Sequence, residues 1–271
     1  MLIFVKIQFV GKQKKGILRY FLFFAALIIG VAAILGFRYY RFIYLNNVNL
    51  DKHAKAYLFI PTGSDYKTVV DSLEKRNLLK NVEAFDWVAE RKSYPELVKP
   101  GRYLIEGGMN NNELINRLRI GDQDPVKVLI KSVRTKEDLA EQVAAQIELD
   151  KNELLHAMRQ PEVYDKYGFD AENFLTMFLP NTYEMLWNTR TEAFIQRMAK
   201  EFKKFWTDER KSKARKQGLS QSEAYILASI VQQETSMRDE MPKVAGVYIN
   251  RLQRGMPLQA DPTLIFALGG F

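Results

Sequence analysis

The run "YFLFFAALIIGVAAILGF", residues 20–37, limits what this chain can fold into more than any other stretch. Coiled into a helix it spans roughly 27 Å, about the thickness of a bilayer's hydrocarbon core. Lys6, Lys12, Lys14, Lys15 and Arg19 precede it, Arg38 and Arg41 follow it, and residues 1–44 hold no acidic side chain. A cleavable signal peptide is the alternative. Against it, the apolar run is too long for such a peptide, no small-x-small site follows, and "RYYRFIY" has the aromatic and basic make-up of an interfacial anchor. The expectation is a single transmembrane helix within an anchor at residues 1–44. The five-to-two basic asymmetry puts the N-terminus in the cytoplasm and the chain beyond about residue 45 outside it.

The net charge of +8 belongs mostly to this segment, since the seven basic residues there leave 33 basic against 32 acidic residues in the rest. No nucleic-acid partner is therefore expected. An apolar share of 47% suffices to fill cores. Cysteine is absent, which excludes disulfides, thiol catalysis and cysteine-based zinc sites. The two histidines, His53 and His156, have no ligand spacing around them, so neither a metal nor another cofactor is expected.

Beyond the anchor the chain reads as α+β, in two regions of different texture. In residues 45–131 an apolar run "AYLFI" suggests a strand. Ser64 or Asp65 can cap a helix with Val69, Val70 and Leu73 on one face, and a second helix follows near "VEAFDWVAERK". "PGRYLIEGG" gives a turn and a short strand, "NNNELINRLRIG" a helix closed by Gly121, and "PVKVLIKSV" a longer strand. This small α/β unit resembles the LysM-like module, a carbohydrate-binding fold; a structural spacer is the alternative. Residues 132–271 are mainly helical. Thr135 opens "TKEDLAEQVAAQI", Asp150 opens "DKNELLHAM", and residues 191–217 form one long charged amphipathic stretch. Between them "FLTMFLPNTYEMLW" is extended in character, because Pro180 disfavours helix at Leu179.

"ILASIVQQETS", residues 226–236, poses the sharpest chemical question. Ser220 and Glu223 fit a capping box, so a helix should run from about Gln221 to about Thr235. With Leu227 at zero, Ile230, Val231 and Glu234 fall at roughly 300°, 40° and 340° around its axis. Glu234 thus lies within the apolar stripe, whereas Gln232 points away. Desolvation of a carboxylate there would favour its protonated form, the form required of a general acid. The competing reading is a solvated glutamate in a last helical turn. Downstream, "DEMPKVAGVYINRLQRGMPLQADPT" supplies a helix with Pro242 near its start and Gly255 past its end. An extended segment follows, then Asp261 and Pro262 as cap and first residue of a third helix. Tyr248, Asn250, Arg251, Gln259, Asp261 and Thr263 are the polar and aromatic groups there of the kind that line sugar clefts.

"ASIVQQET", "VAGVYINRLQRGMPLQADPT" and "FLPNTYE" together closely resemble the endolytic murein (lytic) transglycosylases of the YceG-like family. The resemblance implies a single-pass protein of the bacterial inner membrane, with a LysM-like subdomain ahead of a catalytic domain. It implies Glu234, the acid of the "ET" pair, as the catalytic acid; the six residues above are expected to be substrate-binding from their residue types, and each alone could be structural. Peptidoglycan glycan strands are the implied substrate, membrane lipid the surroundings, and penicillin-binding synthases the neighbours. Gln232 stands where the family usually has glutamate, Leu175-Thr176 where it has Glu-Gly, and Asn181 where it has aspartate. The family's catalytic domain continues past the equivalent of Gly269-Gly270-Phe271 with a Tyr-Asn-Thr-Tyr-like segment, so a truncated domain with an incomplete cleft is expected. No G-x-S-x-G, H-E-x-x-H, phosphate-binding loop or dinucleotide fingerprint is present. The competing function, from another class, is a membrane-anchored peptidoglycan-binding scaffold without catalysis.

Overall fold

In a computed structural model the described residues are 10–269, with side chains from residue 19 onward. The first residues of the expected cytoplasmic tail, Lys6 among them, and Gly270-Phe271 lie outside the described residues. The chain divides into two compact units, Met1–Asp124 and Pro125–Phe271, and is a helix-rich α+β protein.

The first unit starts with α1 (Val10–Tyr44), whose stretch Arg19–Tyr44 is long and apolar enough to cross a membrane and is not buried within the protein. Strand β1 (Lys55–Ile60) follows, then α2 (Tyr66–Lys75), α3 (Val82–Arg91), β2 (Gly101–Glu106) and α4 (Asn111–Ile120). Of the two capping candidates Asp65 does the work, its carboxylate accepting from the Thr68 amide at 2.8 Å. Val69 and Leu73 are buried and Val70 is half-buried, as their spacing predicts. Asn110 and Glu113 close a capping box on α4, and Gly121 ends that helix at φ 79°, a left-handed conformation that glycine adopts without a Cβ penalty. β1 and β2 pair antiparallel with Leu58 opposite Tyr103, so Leu58, Ile60, Tyr103 and Ile105 turn to one face. That face meets Val69, Leu73, Phe85, Val88, Leu114 and Leu118 in a closed core. Each such fully buried side chain contributes about 1.5–3 kcal/mol.

A buried polar chain ties the end of α1 to this unit. Asn111 Nδ2 donates to the Phe42 carbonyl at 2.8 Å, and Asn47 Nδ2 donates to Asn111 Oδ1 at 2.8 Å and to the Asn81 carbonyl at 2.7 Å. Asn47 and Asn111 are both buried, so these bonds satisfy groups that would otherwise be stranded.

The second unit opens with β3 (Val126–Ile130), followed by α5 (Lys136–Ala144), α6 (Lys151–Arg159), α7 (Pro161–Asp165) and β4 (Asn181–Met185). On sequence alone "PVKVLIKSV" falls in the region ending at 131. It pairs instead with β4, Val128 opposite Tyr183, and falls in the second unit. Alternation marks a strand without naming its partner. Within "FLTMFLPNTYEMLW" the first residues, Phe174–Met177, form a 3₁₀ turn, and only the part after Pro180 is strand. The expected single stretch at 191–217 is two helices, α8 (Thr191–Phe205) and α9 (Asp208–Lys216). Thr207 separates them: its backbone is extended and its hydroxyl caps α9 at the Arg210 amide, a start signal reinforced by Asp208 and Glu209 in the first turn. α8 buries Phe194, Ile195, Met198 and Phe202 against Phe174 and Phe178, whereas α9 buries nothing.

The chain then forms α10 (Gln221–Glu234), α11 (Met241–Gln253) and α12 (Asp261–Ala267). They share a small separate core of Leu227, Val231, Tyr248 and Ala260. The capping box at Ser220 and Glu223 is formed as its spacing predicts.

Candidate functional site

α10 and α11 carry the site. Thr235 is extended (φ −146°, ψ 139°), so α10 stops at Glu234 and its last side chain stands at the helix end. The Thr235 hydroxyl donates to Glu240 Oε2 at 2.8 Å and accepts from the Met237 amide at 3.1 Å, which shapes the turn into α11. Tyr248, on the inward face of α11, is 7% exposed, and its hydroxyl donates to Glu234 Oε1 at 2.8 Å.

Glu234 itself is exposed, which corrects the expectation of a desolvated acid. The wheel placed its azimuth well, on the side of Leu227 and Val231, both buried. Cover is another matter: Tyr248 reaches the carboxylate from one side, but no element closes over the end of α10 among the described residues. Burial, then the bond to Glu234 and that carboxylate's charge, push the Tyr248 phenol up to about 12; the Asp261 charge adds to this and Arg251 opposes it. At neutral pH the phenol is therefore a fixed donor to Oε1. Among the described residues the protein makes no hydrogen bond to Oε2.

The other expected site residues fall into distinct places. The Arg251 guanidinium donates to the Leu258 carbonyl and, at 3.3 Å, to Gln259 Oε1, so it holds the extended segment between α11 and α12. Gln259 sits there with φ 53°, left-handed for a residue that has a Cβ. Asn250 is exposed on α11. Thr263 turns its hydroxyl back to the Ala260 carbonyl at 2.7 Å and is half-buried. Asp261 is the first residue of α12 and makes no capping bond, contrary to the expectation; the cap position falls on Ala260, because Pro262 can occupy the first turn without an amide to donate. Thus Glu234 and Tyr248 are joined, Arg251 and Gln259 are joined beside them, and the charges of Arg251 and Asp261 are both felt at Tyr248. Sequence reasoning passed over Thr235 and Glu240, whose five-residue separation spans a turn and follows no helical or strand period. It also passed over a role for Thr176, whose hydroxyl donates to the Asn173 carbonyl at 2.7 Å and accepts from Ser222 Oγ at 3.0 Å, tying the 3₁₀ turn to α10.

This part of a helix-rich α+β protein therefore presents one exposed acidic side chain at a helix end, braced by a phenol. Residues 58–271 match the model of the YceG-like family, and the chain belongs to that family. Its curated relatives include the endolytic murein transglycosylase of Streptococcus pneumoniae serotype 2 strain D39, 27% identical over 262 residues that cover 86% of this chain and 47% of that one. The Bacillus subtilis strain 168 protein of the same name is 24% identical over 241 residues, covering 83% and 66%. The chain thus spans about half the length of the pneumococcal relatives and about two thirds of the Bacillus one. A crystal structure of a YceG-like protein from Listeria monocytogenes superposes with a TM-score of 0.50 at 24% identity, over 80% of this chain and 76% of that one, and agrees in fold.

Proposed function

We infer that this protein is a membrane-anchored endolytic peptidoglycan transglycosylase. It cleaves the β-1,4 bond between N-acetylmuramic acid and N-acetylglucosamine, ends nascent glycan strands beside the synthases that make them, and works on the outer side of the cytoplasmic membrane. The observation that carries this reading is the Glu234 carboxyl at the end of α10 with Tyr248 bonded to one oxygen only. Membership of the family and the names of the relatives support it. The region 45–124 serves as the LysM-like module and the region 125–271, β3 included, as catalytic domain.

In the proposed reaction Glu234 gives its proton to the glycosidic oxygen as the C1–O4 bond breaks. The resulting carboxylate takes the proton from the C6 hydroxyl of the muramic acid, whose O6 closes on C1. No second carboxylate or external nucleophile is needed, unlike ordinary glycosidases, and the intramolecular hydroxyl acts at a high effective concentration. Tyr248 fixes the rotamer of Glu234 through Oε1 and leaves Oε2 to face the bond. Asn250, Arg251, Gln259, Asp261 and Thr263 border the sugar, Arg251 chiefly by holding the 256–260 segment in place. Exposure of Glu234 makes the bound glycan itself the source of the desolvation that a general acid requires.

Digestion of glycan strands in ¹⁸O-labelled water tests the reading. Unlabelled 1,6-anhydro ends, one water lighter than reducing ends, are the expected product. Labelled reducing ends would show a hydrolase, and binding without cleavage would favour the scaffold.

A further inference from the structure

We propose that a groove beside the last turns of α1 binds the headgroup phosphate of an anionic membrane lipid. The inference rests on the membrane-anchor reading of α1 and adds to it a specific lipid site. The groove, of about 600 Å³, lies between α1 and the segment that leads into α3. Ile34, Phe37, Arg38, Arg41 and Leu45 follow one another at helical spacing, so a single face of α1 forms one wall. Along that face the chemistry changes in the order in which a lipid changes from chain to phosphate. Ile34 and Phe37 are exposed and apolar, at 71% and 64%. One to two turns on come Arg38 and Arg41, and Lys80 stands on the opposite wall.

The cations are available. The side chains of Arg41 and Lys80 are exposed and make no ion pair or hydrogen bond among the described residues. Arg38 has one long contact, 3.7 Å to Glu83, and lies over the Phe42 ring at 5.4 Å. Glu83 is the only acid lining the groove, against three cations, so a net positive site remains.

The groove is also rigid. Tyr39 stacks on Trp87 at 4.6 Å, Arg91 lies 3.5 Å over the same indole, and Asn111 binds the Phe42 carbonyl. The end of α1 is therefore held against its own unit, and Arg41 and Lys80 line one groove whose backbone is in place before binding. Tyr40 and Tyr44, both exposed, mark the same level as the interface between hydrocarbon and water. Guanidinium and ammonium groups lining one groove beside an apolar wall suit a phosphate that carries acyl chains, and suit a free phosphate less well, since that has no use for Ile34 and Phe37.

The test takes the full chain in detergent micelles and counts retained lipids by native mass spectrometry. One phosphatidylglycerol should be held at least about tenfold more tightly than phosphatidylcholine. The Arg41→Gln/Lys80→Gln double variant should lose that preference with its melting curve unchanged, whereas Lys127→Gln, on β3, should keep it. Equal retention of the two lipids, or an unaltered preference in the double variant, overturns the site. Displacement by millimolar inorganic phosphate at matched ionic strength also overturns it, in favour of a free-phosphate site. Alkaline carbonate extraction of wild-type chain from membranes reads the anchor separately: release from the membrane sinks anchor and site together, while retention without lipid preference sinks the site alone.

Discussion

At the scale of single residues, the Glu234–Tyr248 pair defines the chemistry. Glu234→Gln keeps shape and removes the donated proton, so turnover on glycan strands should fall at least about 10²-fold with the fold intact. Wild-type turnover in that variant would remove Glu234 from the mechanism. Tyr248 makes an independent prediction. Its phenol is neutral when protonated, and its folded value of about 12 lies above the ordinary 10.0. The stability it contributes is therefore complete below about pH 10 and is lost as pH rises through about 12. In a protein labelled at tyrosine Cζ, the resonance that disappears in Tyr248→Phe should titrate near the upper value; a midpoint at 10 or below would mean that neither the burial of the phenol nor its bond to Glu234 is kept in solution.

At the scale of elements, side chains finish what the backbone starts. The β3–β4 ribbon has only two strands, and Gln146 supplies part of a third. Its Oε1 accepts from the Leu129 amide at 2.8 Å and its Nε2 donates to the Leu129 carbonyl at 2.9 Å, which blunts an edge that would otherwise be open. Gln146→Met should cost about 1 kcal/mol or less in denaturant unfolding, since both backbone groups are exposed and lose a fixed partner to water. An unchanged midpoint would show that water replaces the amide freely. In α10 the capping box makes a weaker claim: Glu223→Gln should cost about 1 kcal/mol or less and leave turnover alone. A large activity loss there would move the catalytic role away from the far end of the helix.

At the scale of the whole molecule, the charge asymmetry around α1 makes a topological statement. A reporter enzyme that works only outside the cytoplasm, fused after Phe271, should be active. Silence with good expression would reverse the assignment, and with it the reading of a cell-wall enzyme.

The sequence determined the elements whose signals are local. Asp65, Thr135, Asp150 and Ser220 each cap the helix that their spacing predicts, because a cap is a contact over three residues and needs no partner from elsewhere. It also placed Glu234 on the side of α10 that carries Leu227 and Val231, since azimuth follows from helical pitch alone. What it could not determine is what lies across from a residue. The partner of β3 and the open end of α10 depend on which distant segment packs where, and periodicity is blind to that; the break at Thr207 is a local cap inside a stretch whose charged pattern runs on across it. So the carboxylate expected to be buried stands exposed, and only the tertiary structure brings Tyr248, fourteen residues away, within 2.8 Å to hold it.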